Sequence, residues 1–200
     1  DEWAPPAGIT LYEIAGWGAD TISGVRFDDI CVLELCIQRY TPMFVEDGDG
    51  VVPVPSAQLV AGGENVERYW VDLKKYNVLR IPRVDHGTLF QIPDLREFIE
   101  NIFLNEENAT PVLITETQPE TLNEKKRLVF LHSPLTLGIY DEEGNHTGLN
   151  EDGSVDNEIP DTQYGEFGDV KYLITPADTA YQLELIGQDS GTFSLDVEEQ

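Results

Sequence analysis

Ile9-Thr10-Leu11-Tyr12-Glu13-Ile14-Ala15-Gly16 is apolar on both faces apart from Thr10 and Glu13. Half-buried strands alternate; a strand covered on both sides does not, so this run reads as one strand of a mostly parallel sheet with helices on its faces. Downstream, Leu95, Phe98, Ile99, Ile102 and Phe103 recur at i, i+3, i+4, i+7 and i+8. Pro93 precedes the run, Asp94 stands at the N-cap, and Glu97 follows three residues later, which predicts an amphipathic helix able to cover such a sheet.

Between these two elements the pattern is broken. Arg26–Phe27, Cys31–Ile37 and Tyr40–Val45 read as short strands of an excursion that turns at Asp28-Asp29. Ser56 is placed to cap a short helix over Ala57–Ala61 that stops at Gly62-Gly63. Tyr69–Leu73 and Val78–Val84 are further strand candidates. If Cys31–Cys36 lies in one straight strand, its two cysteines are roughly 16 Å apart, too far for a bond that needs Cα atoms within about 7 Å. They are therefore expected as buried thiols.

The chain falls into three textures. Residues 1–105 carry 17 acids against 8 bases and mix apolar runs with helical periodicity. Residues 106–125 are polar, contain Pro111 and Pro119, and read as a linker with one short strand at Val112–Thr115. Residues 126–200 carry 16 acids against 3 bases and change period. Leu135, Leu137 and Ile139 alternate with Thr136, Gly138 and Tyr140. Tyr181, Leu183 and Leu185 alternate with Gln182, Glu184 and Ile186, and Phe193, Leu195 and Val197 with Ser194, Asp196 and Glu198. Turn signals such as Glu151-Asp152-Gly153 separate these runs, and the spacing predicts a small antiparallel β-sandwich. The expected fold class is thus α/β plus all-β.

Composition limits the partners. The 200 residues are 40% hydrophobic and 10% aromatic, enough for a real core, yet the formal net charge is −26. Such a chain repels phosphate backbones and anionic lipid, so nucleic acid is excluded as a partner class. No apolar run approaches the roughly 20 residues of a membrane-spanning helix. Asp1-Glu2-Trp3-Ala4-Pro5-Pro6 has neither the basic nor the apolar region of a signal peptide. With a single methionine, Met43, the chain reads as a mature or excised piece of something longer.

Two loops carry chemistry. Asp47-Gly48-Asp49-Gly50-Val51-Val52-Pro53 flanks Asp49 with glycines, which lets the backbone turn sharply and present that carboxylate at the end of a sheet. Val84-Asp85-His86-Gly87-Thr88 sets a histidine just before the capped helix. A carboxylate that orients an imidazole, and an imidazole that takes a proton from a hydroxyl, are the orienter and base of a nucleophilic triad. Other candidates point elsewhere. His132 and His146 lack partners at zinc spacing and read as structural or exposed. Asn150–Glu158 is rich in oxygen ligands but out of register with an EF-hand and reads as a solvated acidic loop. Trp3, Trp17 and Trp70 read as packing residues, and Gly16-Trp17-Gly18 is no dinucleotide loop. No cofactor and no metal are expected.

Tyr12-Glu13-Ile14-Ala15-Gly16-Trp17-Gly18, Glu46–Ala57 with its Gly48-Asp49-Gly50-Val51-Val52-Pro53 core, and Asp85-His86-Gly87 together resemble the C-terminal part of lecithin–cholesterol acyltransferase-like, lipase-like α/β-hydrolases. The resemblance covers about residues 9–104. It implies Asp49 as the triad acid, His86 as the base, and the helix after His86 as the one that closes the sheet. Val51 stands where that family often has Thr. The segment Ser133-Pro134-Leu135 to Pro160 is similar to small β-sandwich modules appended to bacterial secreted proteins. No Gly-x-Ser-x-Gly nucleophile elbow occurs in the chain,, and neither Ser23 nor Ser56 has its context.

The resemblance therefore implies the C-terminal fragment of a serine ester hydrolase or acyltransferase, at the cell surface or outside the cell. Such a fragment is inactive alone and needs an upstream or partner Ser-bearing segment and an ester or lipid substrate. The alternative is a non-catalytic secreted binding or structural module built on a hydrolase remnant. In either case an unpaired edge of the 9–16 strand invites self-association.

Overall fold

The computed structural model describes residues 3–32, 35–60, 63, 65–78, 83–106, 109–120 and 124–200. It has a mixed α/β architecture with several distinct sheets and a few helices, and its contacts divide the chain into two units, Asp1–Thr121 and Leu122–Gln200.

In the first unit, β1 (Leu11–Trp17) runs parallel to β4 (Val66–Asp72), and β5 (Ile114–Thr115) adds antiparallel to β4. Segment 111–115 thus belongs structurally with the first unit. The in-phase register Ala15↔Trp70 sends both side chains to one face, where they meet Trp17 and Val54. Ile14, Tyr69 and Val71 serve the opposite face with Leu73, Ile92, Leu95, Phe98 and Ile114. Burial on both faces explains the lack of alternation in β1. Glu13, the charged exception, is buried with its oxygens on the Arg68 guanidinium (2.9 Å) and the Val60 N–H (3.1 Å). Among the described residues β1 pairs with no strand other than β4 and forms an edge of its sheet.

The covering helices are α1 (Val54–Ala57), α2 (Leu73–Asn77) and α3 (Pro93–Leu104), with a 3-10 helix at His86–Gln91. α3 buries Leu95 and Phe98, with Ile99 and Ile102 half-buried, whereas Phe103 is 85% exposed. Its start differs from the expected one. Ile92 is the N-cap and Pro93 the first helical residue, where a missing N–H costs nothing, while Asp94 lies in the first turn and accepts from Leu113 N at 3.4 Å. The helix expected after Ser56 begins earlier, because Pro53 caps it, and ends at Ala57; Ala61 and Gly62 lie outside the described residues. β4 stops at Asp72, whose carboxylate accepts from Lys75 N (2.8 Å), so Leu73 opens α2 instead of ending a strand. Most of the Val78–Val84 strand candidate lies outside the described residues.

The excursion after β1 is one long hairpin. β2 (Thr21–Val32) and β3 (Leu35–Val45) pair antiparallel, with a bulge at Ser23. Asp28 and Asp29 sit inside β2, opposite Arg39 and Gln38, and do not turn the chain. This register sets Cys31 directly across from Cys36, with Cα atoms 4.0 Å apart, and the two form a disulfide. The expectation of separate thiols fails because Cys31–Ile37 is two strands rather than one.

Among its described residues the second unit contains strands only. β6 (Lys126–His132), β10 (Gln163–Phe167), β11 (Val170–Pro176) and β13 (Ser194–Glu199) form a sheet in the order β10-β11-β6-β13. β7 (Gly138–Tyr140), β8 (His146–Leu149), β9 (Val155–Asn157) and β12 (Gln182–Glu184) form a second sheet in the order β12-β7-β8-β9. All their pairings are antiparallel. Val129, Leu131, Tyr164 and Leu173 from the first sheet and Ile139 from the second meet Leu137 and Ile159 in one core. The expected alternation is only partly realised. Leu195 packs on that core, but Phe193, Val197 and Leu183 are exposed.

Candidate functional site

Asp49 lies where the chain leaves β3 and meets the carboxyl end of β1. The loop is laced to that strand end by Gly18 N to Glu46 O (3.0 Å), Ala19 N to Gly48 O (3.1 Å) and Trp17 Nε1 to Asp47 Oδ1 (2.9 Å). Gly50 takes a φ of +94°, a left-handed conformation that glycine adopts without steric cost,. The turn folds the Asp49 side chain back on its own backbone: Oδ1 accepts from Val51 N (3.1 Å) and Val52 N (2.8 Å). Two N–H donors and burial of the carboxylate, 7% exposed at the side chain, fix it in one orientation.

His86 is held with equal economy. Asn77, at the end of α2, takes both backbone groups of Val84, donating to its carbonyl (2.8 Å) and accepting from its N–H (2.9 Å). Asp85 then caps the 3-10 helix in a reciprocal box with Thr88: Asp85 Oδ1 accepts from Thr88 N (3.1 Å), and Asp85 N donates to Thr88 Oγ1 (3.0 Å),. His86 is the first residue of that helix, and its backbone N–H donates to Asp49 O at 2.9 Å. Its Nδ1 lies 2.8 Å from Asp49 Oδ2. An ionised carboxylate only accepts, so Nδ1 is the donor of this bond, and in the neutral ring the lone pair then falls on Nε2, the tautomer in which an imidazole acts as a base. The side chain is half-exposed.

The structure thus brings the two sequence-selected residues into hydrogen-bond contact across 37 positions. Ser23 and Ser56 do not join them. Ser23 Oγ reaches Met43 O at 3.4 Å in the hairpin bulge, and Ser56 lies within α1. Among the described residues no hydroxyl is hydrogen-bonded to the His86 imidazole.

Motif reading missed the residues that carry the loops: Thr21, whose hydroxyl accepts from Gly50 N, Asn77, the Asp85–Thr88 box, and the close packing of Gly16 on Asp49 and of Gly48 on Thr21. Only the Asp-x-x-Thr spacing had a local signal. The rest are contacts between distant segments.

The remaining candidates settle as packing or surface. Trp17 and Trp70 are buried together beside α1, and Trp3 is exposed. His146 is buried with Nδ1 3.2 Å from Asp156 Oδ2 and its ring against Tyr140, while His132 Nε2 lies 4.0 Å from Asp196 Oδ2. In the Asn150–Glu158 loop, Asn150 Nδ2 donates to Asp156 Oδ2 (2.8 Å), which with the His146 contact holds the Asp156 carboxyl below the usual carboxylate range. Among the described residues no three His, Cys, Asp or Glu side chains group to hold a metal, and no helix is long and apolar enough to cross a membrane.

No family model matches the chain, and neither a curated protein nor a solved structure matches it.

Proposed function

We propose that this chain supplies the acid and the base of a serine ester hydrolase or acyltransferase, with Asp49 as the acid, His86 as the base, and the nucleophilic serine on a segment outside it. The observation that carries this reading is the 2.8 Å bond from His86 Nδ1 to a buried Asp49 whose other oxygen is already held by two backbone N–H groups. Such an acid orients the ring and stabilises the imidazolium that forms when Nε2 takes the serine proton. Its place at the carboxyl end of a parallel strand pair is where open α/β sheets bind their ligands. These features favour a partial lecithin–cholesterol acyltransferase-like α/β-hydrolase sheet for the first unit. Two antiparallel sheets with a common core favour a β-sandwich accessory module for the second.

The free edge of β1 is the place for a strand of the Ser-bearing segment, and in its absence for a second copy of this chain,. The Cys31–Cys36 disulfide favours an oxidising compartment, hence the cell surface or the exterior,. Alone, this chain is expected to turn over no ester.

Turnover of p-nitrophenyl esters, and labelling by a serine-reactive fluorophosphonate, should be measured on this chain beside a version extended upstream. Activity and labelling in the extended protein only are the expected result. Silence in both moves the reading to a non-catalytic binding module.

A further inference from the structure

We propose that Thr21 is a positioning residue for the Asp49–His86 pair, acting through the two glycines that flank Asp49; this rests on the acid and base roles given above.

Thr21 opens β2, 28 residues before Asp49, and is fully buried. Its Oγ1 donates to Ala19 O (2.8 Å) and accepts from Gly50 N (2.8 Å). The same side chain packs against Gly48 so closely that a Cβ there would collide with its hydroxyl and methyl groups. One side chain therefore touches both neighbours of the acid, one by a hydrogen bond and the other by contact. Ala19, whose carbonyl accepts the Thr21 hydroxyl's hydrogen bond, donates its own N–H to Gly48 O. Hydroxyl, Ala19 and loop close a ring of bonds around Asp49, and Asp49 O in turn receives the His86 N–H.

The hydroxyl is specific because both its functions are used at once. Its donor is committed to Ala19, which leaves a lone pair for Gly50. Gly50 sits at positive φ, and its N–H orientation sets how the turn presents Asp49. Valine would keep the shape and lose both bonds. Serine would keep both bonds and lose only the methyl contact.

The test reads His86 in the isotope-labelled 200-residue chain by imidazole nitrogen NMR, following the tautomer population and the exchange rate of the Nδ1 proton. The native chain and Thr21→Ser are expected to show the Nδ1–H tautomer with a protected proton. Thr21→Val is expected to exchange that proton faster, on the order of tenfold, the scale of losing the bond to Gly50 N, while its methyl spectrum stays folded. Unchanged exchange in folded Thr21→Val overturns the proposal, as does loss of protection in folded Thr21→Ser. Should Thr21→Val not fold, Thr21→Ala, which also removes both bonds, takes its place under the same two criteria. Unfolding of both assigns the hydroxyl to the stability of the whole unit and also overturns it. None of these readouts involves ester turnover, so failure of the hydrolase reading would appear separately, in the extended protein.

Discussion

Gly16 lies directly against Asp49: a Cβ on residue 16 would stand 2.6 Å from the Asp49 Cβ and 3.2 Å from Leu73 Cδ1. The carboxyl end of β1 is therefore the floor on which the carboxylate rests, and the absence of a side chain at Gly16 is a condition for the Asp49–His86 bond.

Gly16→Ala should consequently displace Asp49 rather than be absorbed, since Leu73 closes the other direction. Overpacking of this kind costs typically about 1–3 kcal/mol. A denaturant titration should show that loss, and the His86 Nδ1 proton should lose protection in the variant. A stable protein with an unaltered imidazole spectrum would mean that the strand shifts to make room.

Reduction of Cys31–Cys36 should act locally. Among the described residues β2 and β3 form a sheet of their own, and two-stranded ribbons are marginal in water,. Closing so short a loop contributes about 2 kcal/mol in the chain-entropy account. Cys31→Ser with Cys36→Ser should speed amide exchange and proteolytic nicking between residues 26 and 40. Exchange in α3, which packs on another sheet, should be unaffected. Equal acceleration in both regions would contradict a separately stabilised hairpin.

Asp156 gives the second unit an acid-sensitive contact. The Asn150 amide, and then the His146 ring, hold its carboxyl below the ordinary range. A depressed carboxyl binds its proton less readily in the folded state than in the unfolded one. Its stabilisation is then present above the unfolded value of about 3.9 and is lost as pH falls through the lower folded value. The Asp156 side chain is 38% exposed, so solvent screening should keep the effect under about 1 kcal/mol. Asn150→Ala should lower Tm at neutral pH and narrow its gap to the native chain below pH ~4. A gap constant with pH would remove the carboxylate from the explanation.

How far residues 1–200 disclose this arrangement depends on the range of the forces involved. α3 is legible because its burial repeats at helical spacing, and the loops of Asp49 and His86 because glycine and capping residues leave local marks. Their 2.8 Å contact spans 37 positions, beyond any local pattern, and only the family resemblance implies it. The β2–β3 pairing has no local signal, because no Gly, Asn, Asp or Pro stands between Val32 and Leu35. β6 and β11 escaped for the opposite reason. Leu128, Val129, Phe130 and Leu131 are all buried, as are Tyr172, Leu173 and Ile174, and strands covered on both faces do not alternate. Phe193 and Val197 do alternate with polar neighbours, yet both are exposed, and of this run Leu195 is the residue that packs on the core.

The central claim is that His86, oriented by Asp49, acts as the base for a serine outside this chain. The most direct measurement is ester turnover of the upstream-extended protein with and without His86→Ala, alongside its thermal unfolding. The account predicts a loss of at least roughly a thousandfold, the scale seen on removing a triad member, with Tm nearly unchanged because the imidazole is half-exposed. Full turnover in the folded variant would contradict it.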